Sequence, residues 1–399
     1  MTKTDFLVVG GGVIGVNIAR GLKRRYPDAR VVLLEKERDC GLHASGRNSG
    51  VLHAGFYYTP DSLKARYTRM GNIAMTEYCL RKGIRINKCG KLVVARDERD
   101  LPQMDELLKR GAANGVPLSE VSESEARRIE PRVKTCGRAL YSPTTSSVDP
   151  VEVMRLMSED ASREGVEIRA GVSYHGSNKD SVATSSGDYS AGYVVNAAGL
   201  YADKIAKDFG FSQHYSILPF KGLYLYSDEP RGSIRTNIYP VPDLRNPFLG
   251  VHYTLTVNND VKIGPTAIPV FWREQYRGVE NFSLPELIEI VYRQLGLFMS
   301  SNFDFKKLAA EELRKYSRTR MVQLASVLIE GVESGRYRRW AKPGIRAQLL
   351  DHRTRKLEMD FVIEGDAKSL HVLNAVSPAF TCAIPFSEHV CDEIDKLLH

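Results

Sequence analysis

The chain has 399 residues, of which 43% are hydrophobic and 26% are charged, and its formal net charge is +8. This composition excludes a disordered chain and supplies a sizeable core, which we expect to divide into two lobes. A membrane-spanning helix needs about 20 nearly uninterrupted apolar residues, and the best candidate, residues 287–299, carries Glu289 and Arg293. The six cysteines are scattered, so neither a zinc site nor a disulfide framework is predicted, and a reducing compartment is expected.

The start of the chain alternates between strand-like and helix-like patterns. Residues 6–9 predict a buried strand, residues 13–25 predict a helix, and residues 31–34 predict a second strand that ends at Glu35. This order indicates two parallel strands with a helical crossover. The predicted fold class is therefore α/β, with a doubly wound sheet.

Later segments repeat these patterns. Helices are predicted for residues 150–164 and 381–398, and strands for residues 193–196 and 370–373. Residues 92–95 and most of residues 220–269 are rich in tyrosine, threonine and valine, which favours an antiparallel sheet. We therefore predict a discontinuous nucleotide-binding lobe interrupted by a mainly antiparallel, substrate-binding lobe. The first would comprise residues 1–88, 146–215 and 343–399, and the second residues 89–145 and 216–342.

Positions 10–15, Gly-Gly-Gly-Val-Ile-Gly, fit the GxGxxG pattern between the first predicted strand and helix. In a dinucleotide-binding unit, Gly10 forms the tight turn, Gly12 lets the backbone approach a pyrophosphate, and Gly15 allows close packing of helix and strand. The pyrophosphate lies at the helix N-terminus, which attracts anions. Glu35 is placed to accept hydrogen bonds from an adenosine ribose. A glycine turn that only packs a helix is the alternative, and NAD, NADP and FAD all use such a unit.

Residues 43–58 are too polar for a core and too rich in glycine for regular structure. This segment, His-Ala-Ser-Gly-Arg-Asn-Ser-Gly-Val-Leu-His-Ala-Gly-Phe-Tyr-Tyr, closely resembles the flavin-contacting loop of the D-amino acid oxidase and glycerol-3-phosphate dehydrogenase superfamily. It is most similar to the loop of the L-2-hydroxyglutarate dehydrogenase family. The resemblance extends over essentially the whole chain, through residues 194–200, 249–254, 264–267, 342–349 and 371–381.

The resemblance implies that FAD is the cofactor and that it binds in a Rossmann-like domain. Three consecutive residues of the loop would lie along the flavin, and the backbone of Val172 would meet the adenine. Amides of residues 377–381, at a helix N-terminus, would point at the N1/C2 edge of the flavin, where the reduced ring carries negative charge. Members of the superfamily often carry more glycine in this last motif. The predicted cofactor residues are Gly10, Gly12, Gly15, Glu35, Lys36, Arg47, Asn48, Ser49, Val172, Ser377, Ala379 and Thr381.

Oxidation of an α-hydroxy acid requires a hydride acceptor, a base for the hydroxyl proton and cations for the carboxylates. His53 and His252 are the candidate bases because imidazole titrates near neutral pH, although an isolated histidine is more often structural. Arg346 is the favoured carboxylate ligand since its planar fork can form a bidentate pair, with Lys342 and Lys221 as weaker candidates. For the segment from Lys342 to Arg346, a basic loop without a ligand is the alternative. No metal site is predicted.

The resemblance further implies oxidation of L-2-hydroxyglutarate to 2-oxoglutarate by hydride transfer to flavin N5, with a membrane quinone or molecular oxygen as the electron acceptor. We expect a cytoplasmic protein bound peripherally to the cytoplasmic face of the inner membrane. Basic and aromatic residues between Arg314 and Lys342 suit either such a surface or solvent.

Two other functions stay open from the sequence. An amine or amino acid oxidase acting on glycine, sarcosine or a D-amino acid is the alternative within the superfamily. A flavin-binding protein without turnover is suggested only by the net charge of +8. It would bind nucleic acid with a steep salt dependence, but no RNA-binding motif supports it, so no nucleic-acid partner is expected.

Overall fold

The computed structural model describes residues 1–178, 181–244, 248–300 and 305–399. Its helices are α1 (Val13–Arg25), α2 (Leu63–Arg81), α3 (Leu101–Ala113), α4 (Glu123–Ile129), α5 (Pro150–Arg163), α6 (Ala202–Asp208), α7 (Leu284–Ser300), α8 (Phe305–Arg314), α9 (Arg318–Ser326) and α10 (Ala379–Leu398). Within the described residues, we find no helix with the length and apolar character required to cross a bilayer.

The strands fall in two groups along the chain. The earlier ones are β1 (Thr2–Val9), β2 (Val31–Glu35), β3 (Val51–Leu52), β4 (Lys91–Val94), β5 (Ser119–Ser122), β6 (Arg138–Ser142), β7 (Ser146–Ser147), β8 (Glu167–Ala170), β9 (Tyr174–Ser177), β10 (Val182–Thr184) and β11 (Gly187–Asn196). The later ones are β12 (Tyr215–Gly222), β13 (Leu225–Ser227), β14 (Asn237–Pro240), β15 (His252–Leu255), β16 (Val261–Gly264), β17 (Ile268–Pro269), β18 (Tyr337–Trp340), β19 (Gly344–Asp351), β20 (Lys356–Leu357), β21 (Val362–Gly365) and β22 (Ser369–Asn374).

The chain folds into two compact units. The first contains Met1–Arg47, Pro150–Pro219 and Arg346–His399, and the second contains Asn48–Asp149 and Phe220–Ile345. Residues 48–88, which the sequence places in the nucleotide-binding lobe, pack with the second unit. The other predicted boundaries, at 146, 215 and 343, lie within four residues of the observed ones at 150, 219 and 346. That the first unit binds the nucleotide and the second unit binds the substrate stays a prediction.

Long-range contacts explain why residues 48–88 join the second unit. Asn72 of α2 donates its side-chain amide to the carbonyls of Leu52 and Thr144, at 3.1 Å each. Strand β3 pairs with β7 through Val51 and Ser147. These partners are far apart in sequence, so local pattern alone does not reveal them.

The first unit is built on a largely parallel sheet with the strand order β21-β22-β11-β1-β2-β8. Strands β22, β11, β1, β2 and β8 run parallel to one another, and β21 is antiparallel at the edge. The hairpin β9–β10 extends the early half of β11. The strand–helix–strand unit predicted at the start of the chain is confirmed, as are the predicted helix over α5 and strand within β22.

Helix α1 is buried along its first ten residues, because it is covered by α5 and α10. At Gly21 a Cβ atom would lie 2.8 Å from the sulfur of Cys391, so glycine permits the close approach of α10. The buried guanidinium of Arg20 is satisfied by an ion pair with Glu164, 2.7 Å away, as buried charges require. The packing holds the N-terminus of α1 in one position.

The second unit contains an eight-stranded sheet with the order β18-β13-β16-β15-β14-β4-β6-β5. Most neighbours are antiparallel, as predicted for residues 220–269, of which residues 245–247 lie outside the described residues. The pair β4–β14 is the parallel exception in this mainly antiparallel sheet. The two strands come from separate stretches of the chain, so no hairpin sets their direction. Leu92, Tyr253 and Ile263 of this sheet are fully buried against Met321 of α9.

Candidate functional site

The glycine turn of the first unit has the geometry of a ligand cradle. Gly10 has a φ of +111°, and a Cβ atom there would lie 2.5 Å from the carbonyl oxygen of Ala197. At Gly15 a Cβ atom would lie 1.9 Å from the carbonyl oxygen of Gly10. Neither position accepts another residue without a backbone shift.

Gly12 differs from these two positions. It is the N-cap of α1 with an ordinary φ of −75°, and within the described residues the only non-neighbouring heavy atom within 4 Å of its Cβ position is the hydroxyl of Ser45, at 3.2 Å. Backbone strain therefore does not require glycine at this position. Open space at a helix N-terminus fits a phosphate group.

Glu35 and Val172 form the far end of this cradle. The Glu35 carboxylate is buried and accepts hydrogen bonds from the amides of Gly11 and Glu37, each at 2.9 Å. A carboxylate has about four acceptor positions, so two such bonds leave capacity for a ribose. The amide of Val172 donates to the carbonyl of Glu35 at 2.9 Å, so an adenine contact by Val172 must use its carbonyl. Lys36 is exposed.

The loop that follows is organised by its own polar side chains. The Ser45 hydroxyl accepts from the amide of Val13 at 2.9 Å, which satisfies one of the first amides of α1. Nε of Arg47 donates to the carbonyl of Leu42 at 2.7 Å. Sequence reasoning missed Ser45, although a serine in a polar loop next to a glycine turn is a common cap.

Asn48 and Ser49 continue the same loop into the second unit. The Asn48 side-chain oxygen accepts from the amide of Gly50 at 2.8 Å, and the Ser49 hydroxyl accepts from the amide of Val51 at 3.2 Å. These bonds are local turns that fix the backbone. The side-chain amide hydrogens of Asn48 and the hydroxyl hydrogen of Ser49 are the donors predicted to contact a flavin.

The C-terminal motif of the first unit also ends at a helix N-terminus. Helix α10 begins at Ala379, two residues before its predicted start, and its first helical bond runs from the amide of Cys382 to the carbonyl of Pro378 at 3.1 Å. The amides of residues 379–381 precede that bond and lie at the positive end of the helix dipole. Ser377, just before the helix, has a φ of +31°. This arrangement fits the predicted contact with an electron-rich ring edge.

Asn196 and His371 support this region and were not predicted. Asn196, at the end of β11, is fully buried and donates to the carbonyl of Ala202 at 2.8 Å. Its amide nitrogen lies 3.1 Å from Nδ1 of His371, whose Nε2 lies 3.0 Å from the Ser369 hydroxyl. Burial lowers the pKa of His371 to about 4, so this histidine is neutral and structural.

The second unit places His252 in a defined orientation on β15. The residue is 3% exposed, its ring stacks on the ring of Tyr239 with centroids 3.6 Å apart, and its Nδ1 lies 2.8 Å from the carbonyl oxygen of Gly250. A carbonyl can only accept, so Nδ1 carries the proton in the neutral ring and Nε2 keeps its lone pair. A general base needs this tautomer. His53 is partly buried, and its backbone carbonyl accepts from the Asn72 side chain at 3.2 Å.

Lys91 is the most unusual residue of the second unit, and the sequence did not indicate it. Its ammonium nitrogen is buried, makes no hydrogen bond within the described part of the chain, and lies 4.6–4.7 Å from the ring centroids of Phe56, Tyr57 and Tyr239. Such ring faces attract a cation. Burial nevertheless lowers the pKa of Lys91 to about 7. The ring of Tyr239 thus lies against two residues, the ammonium group of Lys91 and the ring of His252.

A second buried lysine anchors the predicted flavin loop. Nζ of Lys262, on β16, donates to the carbonyl of Ser49 at 3.0 Å and lies 4.7 Å from the ring centroid of Tyr224. Burial lowers the pKa of Lys262 to about 8, and the charge of Asp149 opposes this shift. The loop is thus held by a cation from the sheet, a contact that sequence reasoning also missed.

The three predicted carboxylate ligands have different environments. Lys221 on β12 is 5% exposed, and burial lowers its pKa. Lys342 is exposed, whereas Arg346 is partly buried on β19 and belongs to the first unit. Burial makes Lys221 and Arg346 better candidates than Lys342, because an ion pair exposed to solvent is weak.

We expect Lys91→Met to stabilise the protein at pH 7 by about 2–5 kcal/mol. Between pH 7 and about 10 the unfolded chain keeps this lysine protonated while the folded chain does not, so the free energy of unfolding of the wild type rises with pH. In Lys91→Met, the part of this increase in the free energy of unfolding that is due to Lys91 is expected to be absent. Urea unfolding at pH 7 and at about pH 10 measures the free energy of unfolding of both proteins. The control variant changes the exposed Lys88 to Met. An unchanged pH dependence in Lys91→Met would show that the ammonium is not desolvated.

Comparison with known proteins agrees with this fold. The family model described as FAD dependent oxidoreductase (DAO) matches residues 5–393. An L-2-hydroxyglutarate dehydrogenase from Escherichia coli O17:K52:H18 is 35% identical over 99% of this chain and 94% of its own length. The mitochondrial L-2-hydroxyglutarate dehydrogenase of Homo sapiens is 34% identical over 98% of this chain and 89% of its own length.

Solved structures with similar folds have lower sequence identity. L-α-glycerophosphate oxidase from Mycoplasma pneumoniae with FAD bound superposes with a TM-score of 0.78 at 21% identity, covering 99% of this chain and 95% of that one. Glycine oxidase from Geobacillus kaustophilus gives a TM-score of 0.75 at 19% identity, with coverage of 99% and 95%. At such identities the likeness establishes the fold, and substrates differ between the two proteins.

Proposed function

The chain belongs to the FAD-dependent oxidoreductase (DAO) family, and from this premise we propose that it oxidises L-2-hydroxyglutarate to 2-oxoglutarate. The observation that carries this proposal is the match to L-2-hydroxyglutarate dehydrogenases along almost the entire chain. The orientation of His252 adds a chemical argument, because removal of a hydroxyl proton requires a base, and the neutral imidazole with its proton on Nδ1 can accept a proton at Nε2.

FAD is the cofactor. We propose that, when bound, its flavin N5 would accept the hydride that leaves C2 of the substrate. We propose that the cradle of Gly10, Gly12 and Gly15 holds its pyrophosphate at the N-terminus of α1. The carboxylate of Glu35 would accept from its ribose. The amides of residues 379–381 would face the pyrimidine edge of the flavin, where a helix dipole favours negative charge.

We assign the role of general base to Nε2 of His252. It takes the proton of the substrate hydroxyl as the C2 hydrogen departs with its electron pair, so that the alcohol carbon becomes a ketone. The bond from Nδ1 to the carbonyl of Gly250 orients the ring and stabilises the imidazolium that forms. His53 is the second candidate for this role.

Cations are needed for the two carboxylates of the substrate. We propose Arg346, through a bidentate pair, with Lys221 as a further ligand. The low exposure of Lys221 supports its choice over Lys342, because a desolvated ammonium interacts more strongly with an anion. A substrate with one carboxylate would lose one of these contacts.

For the second half of the reaction we propose a membrane quinone as electron acceptor, with molecular oxygen as the alternative. The enzyme would then work as a peripheral protein on the cytoplasmic face of the inner membrane. Exposed Arg338, Arg339 and Trp340 on β18 support an affinity for an anionic headgroup region.

A substrate titration tests the proposed function. L-2-hydroxyglutarate added without oxygen is expected to remove the oxidised-flavin absorbance, whereas D-2-hydroxyglutarate, glycine and sarcosine leave it unchanged. Stopped-flow absorbance measures the rate. Bleaching by an amine would move the protein to the amine and amino acid oxidases, and no bleaching by any of these compounds would contradict the proposal while leaving FAD binding intact.

A further inference from the structure

Helix α7 of the second unit exposes apolar side chains. Leu284, Ile288, Tyr292 and Leu295 are each more than half exposed. In a helix, successive residues are rotated by about 100°, so these four fall on one side. A surface helix normally buries such a stripe.

The acidic residues of α7 point the opposite way. The Glu286 carboxylate accepts from the amide of Arg273 at 2.9 Å. The guanidinium of Arg273 is fully buried and lies 4.0 Å from Glu286 and 3.7 Å from Glu289. The helix is thus fixed with its acidic side inward, and exposure of the apolar side is built into the fold.

The loop before α7 extends the exposed stripe. The indole nitrogen of Trp272 donates to the carbonyl of Glu280 at 2.7 Å, and the Trp272 ring packs edge-on against Phe282 at 5.3 Å. Gln294 of α7 donates to the carbonyl of Val270 at 2.9 Å, which ties the loop to the helix. Together they form what we call the apolar surface: Phe271, Val279, Phe282, Leu284, Ile288, Tyr292 and Leu295, all exposed.

Positive charge accompanies this surface. Arg277 is exposed in the same loop, and the guanidinium of Arg293 lies 5.7 Å from the ring centroid of Tyr292. Helices α8 and α9, which follow, expose three further arginines, Arg314, Arg318 and Arg320. Over residues 271–327, the exposed acidic side chains of the described part are Glu280 and Glu311.

We propose that the apolar surface docks on an anionic lipid bilayer, with α7 lying in the headgroup region. Apolar and aromatic side chains enter the boundary of the acyl chains while exposed arginines of the same stretch of the chain contact lipid phosphates. A second copy of this chain is the less suitable occupant, because a two-fold interface uses the same patch of both copies and would place two sets of arginines in one interface. The inference deepens the proposed transfer of electrons to a membrane quinone and rests on it.

Vesicle flotation of the FAD-loaded chain tests this inference. The wild type is expected to float with vesicles of phosphatidylcholine and phosphatidylglycerol at low salt, and much less with phosphatidylcholine alone. Ile288→Gln together with Leu295→Gln is expected to lower the bound fraction at least about tenfold. A wild type that stays unbound, or a double variant that binds as the wild type does, overturns the proposal.

Helix α2 provides a matched control in the same unit. Ile73 and Leu80 are each about half exposed and have the same spacing as the tested pair, but the exposed Glu77 lies between them. Ile73→Gln with Leu80→Gln is expected to leave vesicle binding unchanged. Sedimentation adds a second readout: a wild-type dimer that becomes monomeric in the α7 variant, without loss of vesicle binding, shows an interface between copies instead.

Flavin reduction separates this inference from the proposed function. In lipid-free buffer, L-2-hydroxyglutarate is expected to bleach the wild type and both double variants at equal rates. Failure of the proposed function would appear as no bleaching of any of them, whatever the vesicles show. Failure of the docking surface would appear as normal bleaching without binding to vesicles.

Discussion

Replacing His252 by glutamine is expected to slow flavin reduction by L-2-hydroxyglutarate by about 10²–10⁴-fold, the usual contribution of a positioned general base. Glutamine retains a planar polar group that can lie against Tyr239, but its amide cannot take a proton at neutral pH. The bound flavin and the fold are expected to be unaffected. Anaerobic stopped-flow absorbance at saturating substrate measures this rate.

Two other histidines serve as comparisons for this experiment. His214 is exposed in the first unit, and His214→Gln should leave the rate unchanged. His53→Gln separates the two candidate bases. A large loss in His53→Gln with little change in His252→Gln would transfer the role of base to His53, and small effects in both would mean that neither histidine is the base.

Gly12→Val is expected to weaken FAD binding by roughly 100-fold, which corresponds to about 2.7 kcal/mol. The isopropyl group would occupy the space at the N-terminus of α1 where the pyrophosphate approaches the backbone. In the described part of the chain, the single close neighbour of the added Cβ is the side-chain hydroxyl of Ser45, so the chain is expected to fold. Titration of the flavin-free protein with FAD, followed by flavin fluorescence, measures the dissociation constant.

Two further glycines make this result interpretable. Gly176→Val, at a position where no heavy atom of the described residues lies within 4 Å of its Cβ, should bind FAD as the wild type does. Gly15→Ala drives a methyl group into the carbonyl of Gly10 and should reduce both folding and FAD binding. If Gly12→Val keeps the wild-type affinity, the pyrophosphate lies elsewhere.

Local patterns were sufficient to predict the opening strand–helix–strand unit of the first unit. The strand β1, the glycine turn and α1 follow from apolar periodicity and from the spacing of the glycines between them. The carboxylate of Glu35 likewise lies at a strand end that the sequence marks. Such features depend on neighbours within about 30 residues, which is the range of a strand–helix–strand unit.

Tertiary contacts explain what the sequence did not reveal. Lys91 begins an apolar strand, but the rings around it come from residues 56, 57 and 239, so its burial has no local signature. Lys262 reaches Ser49 across 213 positions of the chain. The parallel direction of β14 beside β4 depends on an equally distant pairing. Buried cations of this kind are recognisable only once the sheet is assembled.

The three-part construction of the first unit has a consequence for biosynthesis. Strand β22 occupies an interior place in the sheet beside β11, and α10 covers α1, yet both belong to the last stretch of the chain. A ribosome must release that stretch before the sheet can close, so the later half of β11 is left with an unpaired edge while about 170 further residues are made. Exposed edges favour aggregation. Substitutions in α10 are therefore expected to reduce the yield of folded protein more than the turnover of the molecules that do fold.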